Sequence, residues 1–321
     1  MLQPGNRQAS ISRALMARSA SMRPVIQTID KVIGRDAGVL LEGESGVGKD
    51  HVAQLIHSDG PRKSFPFVRI DCASIPAELF ESELFGYEKG AFTDAVTRKQ
   101  GKLEEAHRGT VYFDEVGTLA LPLQAKMLRV IQEHRFSRLG GTRLIDADLR
   151  VISSSNVPLQ RLIDSGSFRK DLFYRLNVVS ITLPPLRERR EDIPLLARAF
   201  LRDVKRREGT VAAKISGEAM ELLCNFRWPG NLRELRGVIE RAAILESGTV
   251  ITPESLPVER FLAAPALGNI ACEAEWSLDT LERWYIREVL RKTSRNFSRA
   301  AEILGINRKT LLEKRRKYGL E

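Results

Sequence analysis

Residues 43–50 read Gly-Glu-Ser-Gly-Val-Gly-Lys-Asp. Three glycines within six positions let a backbone curl until its N–H groups converge on one anion. Lys49 adds a point charge beside them, as the β- and γ-phosphates of a nucleotide require, and the spacing is that of a P-loop. Gly43, Glu44, Ser45, Gly46, Val47, Gly48, Lys49 and Asp50 are therefore the candidate phosphate-binding residues. Asp50 stands where a Ser or Thr hydroxyl commonly helps to hold Mg²⁺. A second constellation follows in Thr110-Val111-Tyr112-Phe113-Asp114-Glu115. Hydrolysis of ATP needs one acid to organise Mg²⁺ and another to orient or deprotonate water. Asp114 suits the first role and Glu115 the second.

Such a loop works only between a strand that feeds it and a helix that starts from it. Val39-Leu40-Leu41 precede it, and Val52, Leu55 and Ile56 follow at helical spacing. Five apolar runs, 38–42, 66–71, 110–114, 149–154 and 178–183, read as strands between helical patterns. This alternation predicts an α/β domain with a mainly parallel sheet covered by helices. Pro184-Pro185 ends the pattern. Residues 191–248 read as wholly helical, with Leu195, Leu196, Ala199 and Phe200 on one face and Leu222, Leu223 and Phe226 on another. Trp228-Pro229-Gly230-Asn231 reads as a turn with Asn231 as the N-cap of the next helix. Residues 256–276, rich in alanine with Pro257, Pro265 and Gly268, read as a linker.

The chain has 321 residues, 43% hydrophobic and 29% charged, enough for two or three domains with substantial cores. Its net charge of +10 is uneven: residues 281–321 hold twelve Lys and Arg against five Glu. That segment reads as the footprint of a polyanion partner or, alternatively, as a solvated basic helix. Cys72, Cys224 and Cys272 show no disulfide or zinc spacing, which fits a reducing cytoplasm. No run reaches the roughly 18 apolar residues of a membrane span. The segment 1–21 carries four arginines, counting Arg23 just beyond it, among Ser and Ala. It reads as a short polar tail rather than a transit peptide.

The ordered motifs resemble those of bacterial enhancer-binding proteins, the AAA+ activators of sigma-54 RNA polymerase. The resemblance runs from about residue 22 to the C-terminus. Gly43–Asp50 is similar to the family's phosphate loop, in which an acidic residue commonly follows the lysine. Gly90-Ala91-Phe92-Thr93-Asp94-Ala95 resembles its GAFTGA loop, which contacts sigma-54. Tyr112–Val116 resembles Walker B, and Asn156 falls at sensor I. Residues 168–176 resemble the segment that carries the arginine fingers, which would be Arg169 and Arg175; on one helix these two would lie on different sides. Trp228–Leu235 resembles the sensor II segment, with Arg233 facing nucleotide. Residues 298–317 resemble a Fis-type helix-turn-helix: Ser298–Leu304 the first helix, Gly305-Ile306-Asn307 the turn, and Arg308–Lys317 the recognition helix. Asn307, Arg308, Lys309, Thr310, Lys314 and Arg316 would then meet DNA.

The resemblance implies an AAA+ ATPase with a short tail (1–21), an α/β subdomain (22–186), a helical lid (187–255), a linker (256–276) and an all-α DNA-binding domain (277–321). It implies ATP and Mg²⁺, with Asp114 meeting the metal through ATP. The implied partners are sigma-54 RNA polymerase, double-stranded upstream DNA and further copies of the chain, in a hexamer with paired DNA-binding domains. A control protein acting in trans is expected, because 22 residues ahead of the ATPase cannot form a receiver domain.

Three positions depart from the pattern. Asp94 replaces a glycine, and six carboxylates would crowd one pore, where mutual repulsion or pairing with Lys89 would alter engagement with sigma-54; Asp tolerates a left-handed backbone, so the turn could survive. This substitution motivates an alternative: a related DNA-binding regulator that acts without sigma-54. Asp71 stands where an asparagine usually restrains the Walker B glutamate, and an Asp facing Glu115 would repel it unless one is protonated or a cation intervenes. Arg315 takes the place of a packing leucine, with its stem expected along the core edge.

Overall fold

A computed structural model of the protein describes residues 19–257, 277–293 and 296–318. The expected tail up to residue 18, and the linker from 258 to 276, lie outside the described residues. The chain divides into two compact units after Pro257.

The first unit is built on strands β1 (Val39–Glu42), β2 (Phe67–Asp71), β3 (Gly86–Tyr87), β4 (Lys99–Gln100), β5 (Thr110–Asp114), β6 (Arg135–Ser137), β7 (Leu144–Asp146), β8 (Arg150–Ser155), β9 (Val179–Thr182), β10 (Lys214–Ile215) and β11 (Val250–Ile251). Five of them form one parallel sheet in the order β2-β5-β8-β1-β9. These are the five runs anticipated from the sequence. The pleat explains why β1 and β5 read as continuous apolar runs. Leu40, Val111 and Phe113 enter one buried layer, while Val39, Leu41 and Tyr112 enter the other. Helices Arg23–Ile33 and Lys49–Ser58 cover the second face. Ala77–Phe85, Leu121–Glu133 and Lys170–Leu176 cover the first. Two small antiparallel pairs, β3–β4 and β6–β7, project from the layer that holds Ala77–Phe85.

Helices Ile193–Glu208, Gly217–Asn225 and Asn231–Leu245 follow the sheet. The region is not wholly helical. Lys214–Ile215 pairs in parallel with Val250–Ile251, so a two-strand clasp closes the helices on themselves. Leu196, Ala199, Phe200 and Leu223 are buried as expected, but Leu195 is exposed. Asn231 is not an N-cap. Gly230 takes that position, and Asn231 begins the helix at φ 51°, fully buried.

The second unit holds helices Leu278–Lys292, Phe297–Ile303 and Arg308–Lys317. Ile286, Val289, Leu290, Ala300, Ala301, Leu311 and Tyr318 make its core, with Leu304 packed against it. Gly305 turns the chain at φ 65°. Asn307 caps the last helix, its Oδ1 accepting from Thr310 N at 2.8 Å. The Arg315 guanidinium lies 5.2 Å from the Phe297 ring centre, so its stem does run along the core edge.

Candidate functional site

The phosphate loop leaves β1 and enters helix Lys49–Ser58. Gly46 and Gly48 have φ 78° and 103°, a backbone that side chains rarely adopt. A Cβ on Gly46 would also meet the Gly230 carbonyl, so the loop and the helical region press directly together. Lys49 is buried, and its Nζ donates to the carbonyls of Gly43 at 2.8 Å and Glu44 at 3.3 Å. It also lies 3.2 Å from Glu115 Oε1. β5, β8 and β1 are neighbours, so Asp114, Glu115, Asn156 and the loop meet at the carboxyl ends of adjacent strands, where open α/β sheets place ligands.

Glu115 is held firmly. Its φ is 56°, unusual for a residue with a side chain, and such strain concentrates at functional positions. Its N–H donates to Ser154 Oγ at 3.0 Å, and its Oε2 accepts from the Asn156 N–H at 2.8 Å. Asp114 Oδ1 accepts from Tyr112 Oη at 2.9 Å and Ser154 Oγ at 2.7 Å, while Oδ2 pairs with Arg69. Burial and the Asp114 charge push the Tyr112 phenol upward, which keeps it a donor. Burial raises the Asp50 carboxyl, but the hydrogen bond and charge of His51, the His51 backbone N–H and the Arg69 charge outweigh it and hold Asp50 at about 2.

Asp71 and Glu115 line the same cavity and each has partners of its own. Asp71 Oδ1 accepts from Ala73 N at 3.1 Å and Ser74 N at 3.2 Å, capping its own turn, while Glu115 pairs with Lys49. Lys49, Asp50, Asp71, Asp114, Glu115, Asn156 and Arg233 line one cavity of about 520 Å³. Arg233 reaches the loop, its Nη1 donating to Ser45 Oγ at 2.8 Å.

Sequence reasoning missed much of what braces this cavity. Asn231 Oδ1 accepts from the Leu186 N–H at 2.8 Å, and its Nδ2 donates to Glu44 Oε2 at 3.1 Å and the Ser45 carbonyl at 3.0 Å. Leu232 N donates to the Gly46 carbonyl at 2.9 Å. Arg187 forms a bidentate pair with Glu44, which draws that carboxyl below its usual range. Arg69 also lines the cavity. The period of two along β2 was the available signal, since it puts Arg69 on the same face as Asp71.

Arg169 and Arg175 do not line this cavity. Arg169 precedes helix Lys170–Leu176 rather than sharing it, and forms a bidentate pair with Asp171. Arg175 is exposed in the helix's last turn.

Residues 88–98 form the loop between β3 and β4. Gly90 turns at φ 84°, Ala95 is buried, and Phe92, Thr93 and Asp94 are exposed. Gly90 N donates to the Ala95 carbonyl at 2.8 Å and Ala95 N to the Phe92 carbonyl at 3.0 Å, which folds the loop on itself. The Phe92 ring meets Tyr87 edge-on at 4.9 Å. Asp94 is not in the left-handed region, so this backbone makes no demand for glycine there. Among the described residues of the single chain Asp94 has no ion pair, with Lys89 or any other residue. The loop's base is tied down by buried Arg138, which donates to Glu88 Oε1 at 2.6 Å and to both oxygens of Glu104.

In the second unit, Arg308, Lys309 and Arg316 are exposed along helix Arg308–Lys317. Lys314 is drawn away to Glu282 at 2.6 Å, and the Thr310 hydroxyl donates to Asn307 Oδ1 at 2.9 Å. Among the described residues no helix is long and apolar enough to cross a membrane.

Three family models match in order: the Sigma-54 interaction domain over residues 15–182, an AAA+ ATPase lid domain over 187–267, and the bacterial regulatory protein Fis family over 277–318. The chain is 42% identical to regulatory protein AtoC of Escherichia coli (strain K12), over 96% of this chain and 68% of that protein. It is 43% identical to nitrogen fixation protein VnfA of Azotobacter vinelandii, over 95% of this chain and 59% of that one. A crystal structure of NtrX from Brucella abortus in complex with ADP is similar at a TM-score of 0.69 and 37% identity, over 95% of this chain and 68% of that chain. The chain belongs to the family of sigma-54-dependent transcriptional activators, with an AAA+ ATPase domain, its lid and a Fis-type helix-turn-helix.

Proposed function

We propose that the protein hydrolyses ATP to convert the closed complex of sigma-54 RNA polymerase at a promoter into the open one, from a DNA site upstream. The observation that carries this reading is the convergence of Lys49, Asp114 and Glu115 on one cavity in a domain that also exposes Phe92 and Thr93. ATP would lie with its phosphates against the loop N–H groups and Lys49 Nζ. Glu115, fixed by the Asn156 N–H, would orient the attacking water and accept its proton. Arg233, on the lid side, would meet the terminal phosphate. That a related protein, NtrX, has been solved with ADP supports the same ligand class.

Among the described residues no three His, Cys, Asp or Glu side chains are grouped to hold a metal alone. Mg²⁺ does not need such a cage, because one or two carboxylates and substrate phosphates suffice. Asp114 and Asp50 supply hard oxygen ligands that fit it. Bound there, Mg²⁺ would neutralise charge on the phosphates.

Arg169 and Arg175 are proposed as fingers that reach a neighbouring copy's cavity, which implies a homo-oligomer, a hexamer by the family's pattern. Asn307, Arg308, Lys309, Thr310, Lys314 and Arg316 are proposed to meet duplex DNA, with Arg308 and Lys309 at the groove. Lys314 would first have to leave Glu282. Phosphate contacts of this kind make binding strongly salt-dependent.

The exposed carboxylate of Asp94 favours a second reading, a regulator of the same architecture that acts without sigma-54. Parallel ATPase and open-complex assays separate the two. The first reading expects wild type to open a sigma-54 promoter, and Thr93→Ala to hydrolyse ATP without opening it. It expects Asp94→Gly to raise openings per ATP, because a ring of carboxylates resists burial against an apolar partner. If neither wild type nor Asp94→Gly opens such a promoter while both bind DNA and control another polymerase form, the second reading stands.

A further inference from the structure

Asp114 has no free carboxylate oxygen. Oδ1 takes two hydroxyl donors, and Oδ2 is engaged by Arg69 Nη2 in a short ion pair. Arg69 lies on β2, the outer strand of the sheet, next to β5 in register Arg69↔Tyr112 and Asp71↔Asp114. Its side chain is 47% exposed, and Asp114 is its one hydrogen-bond acceptor among the described residues. The guanidinium is thus the charge partner of a carboxylate proposed to face a divalent cation. A long, half-exposed side chain can leave such a pair at small cost, since exposed ion pairs are worth little.

A cation entering beside Asp114 meets a positive charge already on its oxygen. We propose that Arg69 is a built-in counter-ion that competes with the divalent metal for Asp114, so that loading metal with nucleotide releases Arg69 from that carboxylate. Arg69 is a positioning residue: it holds Asp114 in place before loading and sets the metal concentration at which loading occurs. The inference rests on the metal–nucleotide reading proposed above.

The test uses the full chain, ADP, and Mn²⁺ as a spectroscopic probe for the metal. Mn²⁺ affinity at saturating ADP is read by electron paramagnetic resonance, and ADP affinity in EDTA by calorimetry. Arg69→Met should bind Mn²⁺ roughly five-fold more tightly than wild type, the scale of a half-exposed ion pair. Arg69→Lys, which keeps a charge, should fall between them. In an Asp114→Asn background Arg69→Met should bring no gain, because the contested oxygen is gone. An unchanged Mn²⁺ affinity in Arg69→Met, or the same gain with and without Asp114, overturns the proposal. So does a loss of ADP affinity in EDTA, which would make Arg69 a phosphate ligand. If wild type binds ADP with no dependence on Mn²⁺, the underlying reading of the site fails instead.

Discussion

Lys49 Nζ and Glu115 Oε1 lie 3.2 Å apart, so the cation proposed for phosphate and the base proposed for water already touch. Removing either one would leave the other without this charge partner. Lys49→Ala is expected to abolish ATP binding. Glu115→Gln should keep binding and lower turnover by about 10²–10⁴, the range for losing a positioned base. Equilibrium binding beside steady-state ATPase rates checks both; near-normal turnover in Glu115→Gln would remove it from the chemistry.

Arg169 and Arg175 lie away from their own chain's cavity, so hydrolysis should depend on protein concentration. Arg169→Ala or Arg175→Ala should depress turnover more than nucleotide affinity. Dilution followed by light scattering and ATPase rate is the measurement. A fully active monomer would falsify the shared-site picture.

Asn231 is fully buried and satisfies the Leu186 N–H, Glu44 and the Ser45 carbonyl. Asn231→Ala strands these partners and leaves a Cβ-bearing residue without polar compensation at φ 51°. A loss of about 2–3 kcal/mol in unfolding free energy is expected, with weaker nucleotide binding because the loop loses its brace. Asn231→Gly relieves the backbone but not the lost bonds, so it should recover only the smaller part. Urea titration of the three proteins resolves the two contributions.

Asp50 sits at about 2 in the folded protein against an ordinary 3.8. Its folded form binds the proton more weakly than the unfolded chain does. Its contribution to stability is therefore complete above the ordinary value and fades as pH falls from about 4 through about 2. Asp50→Asn should flatten that part of the pH–stability curve and leave the neutral region's slope unchanged. Unfolding followed across this window, wild type against variant, isolates Asp50 from the other carboxylates; identical slopes would deny the His51 and Arg69 effect.

The sheet was legible because its central strands are buried on both faces, and runs such as Val39-Leu40-Leu41 and Thr110–Phe113 record that directly. Two-residue strands such as Lys214–Ile215 and Val250–Ile251 are too short to leave a period, so the clasp they form was invisible. Asn231 was misread for a chemical reason. An asparagine after Pro-Gly suits a cap, and it suits a left-handed residue equally well. Only its neighbours in space, Leu186 and Glu44, decide between them. Arg69 was passed over because an arginine on an edge strand reads as surface until its register with β5 is known.

Two amides stitch the phosphate loop and its flank to the start of helix Asn231–Leu245: Leu186 N–H on Asn231 Oδ1, and Leu232 N–H on the Gly46 carbonyl. Both bonds must break if that helix swings away from the loop. Neither belongs to a strand or a helical ladder that would protect it otherwise. Their hydrogen–deuterium exchange would thus report the free energy of any opening between this helix and the loop, and a nucleotide that holds the two together would slow both amides.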